Sequence, residues 1–185
     1  MPVILGGRRR GTKLLVPDGK GVRPTLARVR EALFSMITSQ IGTFTDCRVL
    51  APFAGSGALG LEAYSRGAAH IDFVEANRTH YALLLKNIEK LDAHAACHTV
   101  LGYTPGAWHR LGNEPYDLVL CDPPYAADLL PQTLEALLSQ NRLAPGAILS
   151  LELDPNTVVD IPKPLECLKT RQYAQCLIML LRFPG

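Results

Sequence analysis

From about residue 47 onward, short continuous apolar runs alternate with longer stretches in which apolar positions recur every three or four residues. Val49-Leu50, Ile71-Asp72-Phe73-Val74, Leu118-Val119-Leu120-Cys121 and Cys176 through Leu181 are runs of the first kind. They lack the strict apolar–polar alternation of a half-solvated strand, so they predict strands covered on both faces. The pattern places strands near 48–52, 70–75, 96–101, 117–121, 147–153 and 175–182. Helices fall near 57–66, 77–92 and 128–141, with a short one near 105–111. Such alternation is the signature of a doubly wound α/β sheet. Ahead of it, Val3 to Gly7 and Thr12 to Val16 predict two short strands of a hairpin whose tip is Arg8-Arg9-Arg10-Gly11. Residues 17–24 are turn-rich, and Thr25 suits the N-cap of a helix in which Val29, Leu33, Met36 and Ile37 share a face. The expected organisation is therefore a basic hairpin-and-helix extension over 1–45 and an α/β domain over 46–185.

Composition bounds the function. A chain of 185 residues with 48% apolar and 19% charged residues is long enough for one well-packed core. No run of about 18 uncharged apolar residues occurs and the N-terminus lacks a signal-peptide pattern, so a cytoplasmic protein with no membrane role is expected. The five cysteines are odd in number and show no C-x-x-C spacing, which argues against a disulfide framework or a zinc site. Cys121, beside Asp122, is the one candidate nucleophile, yet it closes an apolar strand, where cysteine commonly acts as a small hydrophobe. The five histidines show no metal spacing, and no metal is expected. Charge is divided unevenly: residues 1–30 carry eight Lys or Arg and one acid, a balance of +7, while the remainder carries 11 basic and 16 acidic groups, a balance of −5. A basic arm on a mildly acidic body is the footprint of a polyanion contact.

Candidate chemistry gathers where the predicted strands end. Gly55-x-Gly57-x-x-Gly60 follows the first strand and opens a helix, so that glycines permit positive φ and close backbone approach while free N–H groups and the helix dipole face a ligand. That spacing alone also fits a nicotinamide site, but no Gly-Lys-Ser/Thr follows to make a phosphate loop. Glu75 ends the second strand, where a carboxylate can accept both hydroxyls of an adenosine ribose. The fourth strand delivers Asp122-Pro123-Pro124-Tyr125. The prolines fix φ and remove N–H donors, leaving outward carbonyls beside a carboxylate, and Tyr125 offers a ring on which a planar base can stack. The lone pair of an exocyclic base amine is delocalised until acceptors hold its hydrogens. Asp122 and the Pro123 carbonyl could do so, leaving positioning and electrostatics to carry catalysis.

With these residues in place the chain resembles the class I, Rossmann-like S-adenosylmethionine-dependent methyltransferases, and within them the RsmD family of bacterial small-subunit ribosomal RNA guanine-N2 methyltransferases. The blocks that carry the resemblance are Leu5-Gly6-Gly7-Arg8 with Arg10-Gly11-x-Lys13-Leu14, Arg23-Pro24-Thr25 with Arg28-Val29-Arg30, Phe53 through Ala63, Val74-Glu75 and Asp122 through Tyr125. It implies a mostly parallel seven-stranded sheet with helices on both faces, and methyl transfer from S-adenosylmethionine to guanine N2 on an assembling small ribosomal subunit. It assigns Phe53, Ala54, Gly55, Ser56, Gly57, Gly60, Glu75, Ala76, Tyr103, Thr104 and Asp122 to the cofactor. Asp122 to Tyr125 would hold a flipped guanine, and Arg8, Arg9, Arg10, Lys13, Arg23, Thr25, Arg28 and Arg30 would grip RNA. Two positions depart from the family pattern: Ala51 stands where an Asp is usual, and Gly102-Tyr103-Thr104 where a polar residue commonly meets the adenine amine. A monomer is the default expectation. The Asp-Pro-Pro-Tyr loop also suits adenine-N6 methylation of nucleic acid, and the basic arm with Ala51 also suits a non-catalytic RNA-binding assembly factor. The glycine spacing alone leaves a nicotinamide oxidoreductase open.

Overall fold

Val49, Leu50 and Ala51 are buried, as a central strand requires, and form β1 (Arg48–Ala51). The computed structural model describes residues 2–17, 24–124, 129–174 and 176–185, with backbone alone at 24–26. After α1 (Pro24–Ile41) and β1 come α2 (Ala58–Ser65), β2 (His70–Glu75), α3 (Arg78–Lys90), β3 (Cys97–Leu101), a 3-10 helix (Gly106–Arg110) and β4 (Tyr116–Cys121). They are followed by α4 (Leu129–Ser139), β5 (Leu143–Leu153), β6 (Glu166–Tyr173) and β7 (Cys176–Arg182). The strands form one sheet in the order β3-β2-β1-β4-β5-β7-β6. β1 pairs in parallel with β2 and β4, β2 with β3, and β4 with β5, whereas β7 runs antiparallel to β5 and β6. This is the expected α/β, mostly parallel seven-stranded sheet.

Successive residues of each buried strand face opposite layers. Val49, Ile71, Phe73 and Leu118 pack with Leu33, Phe34, Leu61, Leu84 and Ile88 from α1, α2 and α3. Leu50, Val74, Val119 and Leu149 pack on the other face with Trp108, Leu134 and Leu137, so Trp108 is a core residue. Between β1 and β4 the strand order reverses, and the chain segments leaving these two strands diverge at a crevice where ligands of doubly wound sheets bind.

Several elements depart from the pattern-based reading. The two hairpin strands reduce to a single antiparallel bridge, Val3 to Lys13, because Ile4 and Leu14 turn inward to the core instead of extending a ladder. Two buried side chains hold this segment down. The carboxylate of Glu62 accepts the N–H groups of Leu5 at 2.7 Å and Gly6 at 2.8 Å, and Asn87 accepts the N–H of Leu15 at 2.8 Å while donating to its carbonyl at 2.9 Å. Thr25 lies inside α1, whose first residue is Pro24; proline's fixed φ and missing N–H suit that opening position. The N-cap expected of Thr25 is corrected accordingly. β6 answers to no predicted strand: Glu166 through Arg171 are all exposed, as suits an edge strand, so no apolar run marks it.

Candidate active site

Four chain segments leave the sheet at the C-terminal ends of β1 to β4, and backbone hydrogen bonds fasten the first three together. Ala54 donates to the Val74 carbonyl at 2.9 Å, Gly57 to Ala54 at 2.8 Å, and Gly102 to Glu75 at 2.9 Å. The Glu75 carboxylate, buried at the end of β2, accepts the Gly55 N–H at 2.6 Å on one oxygen and the Asn77 N–H at 2.7 Å on the other. One side chain thus pins the glycine turn to the mouth of α3. Each oxygen keeps a second lone pair. Asn77 accepts the N–H groups of Thr79 and His80 and so caps α3, and Ala76 is exposed beside it.

The three glycines of the turn play different parts. Gly55 has φ +55° and open space where a side chain would stand, so the backbone there lies bare. Gly57, at φ +88°, caps α2 with no side-chain bond. Gly60 is absent from the positive-φ positions, and a Cβ on it would run into the Phe73 ring. Its role is to let α2 lie close on β2, a correction to close approach to a ligand. Phe53, Ala54 and Ser56 are half-buried in the turn, and Ser56 accepts from Asn87 at 2.9 Å, which ties the turn to the clasp on the N-terminal segment. Ala51 is buried in the core. Tyr103 is 77% exposed, whereas the Thr104 hydroxyl donates to the Pro52 carbonyl at 2.5 Å. Thr104 therefore braces the segments after β1 and β3.

Beyond β4, Asp122 and Pro124 are exposed and Pro123 is half-buried; Tyr125 lies outside the described residues. Cys121 is buried and burial raises its thiol pKa well above the usual value, which sets it among structural thiols. A cavity of about 390 Å³ opens beside the loop, lined by Pro123, Pro124, Leu130 and Pro131, by Leu153 at the end of β5, and by Asp154 and residues 156–160 beyond it. Sequence reasoning passed over that last segment, since its Asp154 and Asn156 match no motif.

The basic residues divide. Arg10, Lys13 and Arg28 are exposed; Arg8, also exposed, lies over the Tyr64 ring at 4.2 Å; and Arg9 pairs with Asp92 at 3.5 Å. Arg23 and the side chain of Thr25 lie outside the described residues. Arg30, expected on RNA, donates to the Val3 carbonyl at 2.5 Å, and burial lowers its pKa against the pull of Glu62 and Glu152. It is an internal cross-link. Of the histidines, His70 and His98 contact the buried Asp72 carboxylate at 3.0 and 2.8 Å, joined by the Tyr116 hydroxyl at 2.8 Å. This cluster sits in the half of the sheet away from Glu75 and Asp122. Among the described residues no group of three or more His, Cys, Asp or Glu could hold a metal ion, and no helix is long and apolar enough to cross a membrane.

The chain is similar to known proteins over most of its length. The family model described as conserved hypothetical protein 95 matches residues 3–182. Ribosomal RNA small subunit methyltransferase D of Escherichia coli (strain K12) is 40% identical over 149 residues, covering 80% of this chain and 73% of that protein. Its namesake from Haemophilus influenzae is 34% identical over 170 residues, 91% of this chain and 86% of that one. The solved structure of the Escherichia coli protein yhhF superposes with a TM-score of 0.84 at 31% identity, over 99% of this chain and 98% of that one.

Proposed function

The chain belongs to the family of ribosomal RNA small subunit methyltransferase D, and from that membership we propose that it methylates the exocyclic N2 of a guanine in small-subunit ribosomal RNA, within an assembling particle in the cytoplasm. The observation that carries the reading is the convergence of Glu75, the Gly55 turn and Asp122-Pro123-Pro124 on the strand ends around the β1–β4 crevice.

The residues present fit S-adenosylmethionine. Bare backbone at Gly55 leaves room above the turn, the second lone pairs of the Glu75 carboxylate suit a ribose diol, and exposed Tyr103 offers a ring for adenine. When bound, the cofactor supplies an activated methyl group. The protein's part is to bind and aim the amine. Asp122 and the Pro123 carbonyl accept the two N2 hydrogens, localise the nitrogen lone pair and turn it outward; the Asp122 carboxylate then takes the proton that N2 sheds. Pro123 and Pro124 present no N–H that could compete for that lone pair. Residues 2–17 with α1 would form the RNA-contacting extension, with Arg8, Arg9, Arg10, Lys13 and Arg28 on phosphates.

Asp122→Ala tests the reading. Turnover on small-subunit particles should fall by about 100-fold or more, the scale of a lost acid–base group, while calorimetric titration still shows saturation by S-adenosylhomocysteine. Undiminished turnover in the variant would remove Asp122 from the mechanism. A parent protein that ignores S-adenosylhomocysteine would remove the cofactor assignment.

A further inference from the structure

We propose that Asp154 is the residue that distinguishes guanine from adenine, accepting the N1–H of a target base seated in the cavity beside Asp122-Pro123-Pro124; the inference rests on the guanine-N2 reading above. The cavity's volume of about 390 Å³ falls in the range of small-ligand sites. Its lining is sorted by chemistry. Pro123, Pro124, Leu130, Pro131 and Leu153 supply apolar walls, and polar groups come from Asp154 and the loop that follows it.

Sheet register brings the segments that carry Asp122 and Asp154 to one edge of the sheet. Cys121 of β4 lies beside Leu151 of parallel β5, so Asp122, one residue beyond, and Asp154, three beyond, leave the sheet at the same edge. Asp154 is also held in place. Its Oδ1 accepts the Asn156 N–H at 3.0 Å and its carbonyl accepts the Thr157 N–H at 3.0 Å, a turn folded on the aspartate itself. The carboxylate is thereby fixed at the pocket wall.

Guanine presents N1–H next to its N2 amine. With N2 at Asp122 and Pro123, the neighbouring N1–H enters the same pocket and needs an acceptor, because an unmatched buried donor is costly. A carboxylate supplies it. Adenine has a lone pair at N1, which would face the negative oxygen with no hydrogen between them, so the same group that favours guanine repels adenine. Val158, 96% exposed at the edge of this cavity, is an apolar side chain left for an incoming RNA to cover.

Asp154→Asn is the discriminating variant. It keeps an oxygen to accept the Asn156 N–H and replaces the other with an N–H donor. Once the methylated guanosine is mapped, small-subunit particles are reconstituted with that guanosine or with 2-aminopurine riboside, which keeps the N2 amine but carries a lone pair at N1. The parent should prefer guanine by about 10- to 100-fold in kcat/KM, the scale of one base-reading contact. Asp154→Asn should shrink this preference by about tenfold or more, through both a slower guanine reaction and a faster 2-aminopurine one. Glu166→Gln, on the exposed edge strand β6 and outside the cavity lining, should leave it unchanged. An unaltered preference in Asp154→Asn overturns the inference. So does loss of activity on both bases with S-adenosylhomocysteine binding and melting temperature intact. If Asp154→Asn melts lower than the parent, Asp154→Ser, which can also cap the turn, takes its place under the same criteria. A parent protein that forms no guanine-N2 product is a different failure, that of the activity itself.

Discussion

Single residues in this chain carry two kinds of constraint that share one motif. Gly55 and Gly60 stand five apart in the same glycine-rich turn, yet one leaves backbone bare above the turn and the other lets a helix touch a strand. The difference predicts a packing defect at Gly60. At Gly60 a Cβ would overlap Cε1 of Phe73, lie 2.6 Å from its Cζ and 3.1 Å from Cγ2 of Ile71, both in buried β2 and unable to swing aside. Alanine would return about 1 kcal/mol of helix propensity, but overpacking costs about 1–3 kcal/mol, so Gly60→Ala should be net destabilising by an amount on the order of 1 kcal/mol. Denaturant midpoints of the two proteins check this, and an equal or higher midpoint for the variant would mean that α2 can ride up off the sheet. Spacing in a sequence records that small residues are required, while only packing says against what. That is why Gly55 and Gly60 were indistinguishable before the Phe73 ring was placed. Arg30 teaches the same lesson, since its charge suggested RNA and its burial against Val3 assigns it to the fold.

At the scale of elements, legibility followed burial. β1, β2, β4 and β7 are apolar runs covered on both faces, and the predicted bounds differ from the observed ones by at most one residue. β6 is an exposed edge strand held by its pairing with β7, a long-range property that local composition does not carry. The N-terminal segment was legible as basic but not as a clasped one, because its anchors Glu62 and Asn87 lie more than 50 residues away. Clasping bears on RNA contact: a fixed loop presents Arg8, Arg9 and Arg10 with little ordering cost on binding. Replacing all three by Ala should weaken RNA binding and flatten the slope of log affinity against log salt by at most about 3, since each phosphate contact contributes about 0.7–0.9. Arg8 on Tyr64 and Arg9 with Asp92 are partly engaged already, so Arg10 should account for much of the change. Filter binding across a salt series measures it; a slope equal to the parent's would place the RNA on another face.

For the whole molecule, the N-terminal segment, three helices and one sheet face share a single cluster of buried side chains, so stability is a property of the assembly. Its thiols expose how that stability depends on pH. Burial raises the pKa of Cys97 to about 12 and of Cys176 to about 11, with help from the nearby Asp72 and Glu152 carboxylates respectively, and raises Cys121 further. The folded state therefore holds these groups neutral at a pH where the unfolded chain ionises them. A pKa raised on folding contributes stability that is complete below the unfolded value near 9 and is lost as pH climbs from there toward the folded value. The loss amounts to at most about 1.4 kcal/mol per pH unit for each fully buried thiol. Stability measured by denaturant unfolding under reducing conditions should thus be nearly flat from pH 7 to 8.5 and fall between pH 9 and 10.5. In a Cys97→Ala, Cys121→Ala, Cys176→Ala variant the starting stability should be lower, because buried side-chain volume is removed, but the alkaline fall should be shallower. An equally steep fall in both proteins would assign it to other groups, with buried Tyr116 the first to examine, since burial and Asp72 push its hydroxyl up as well.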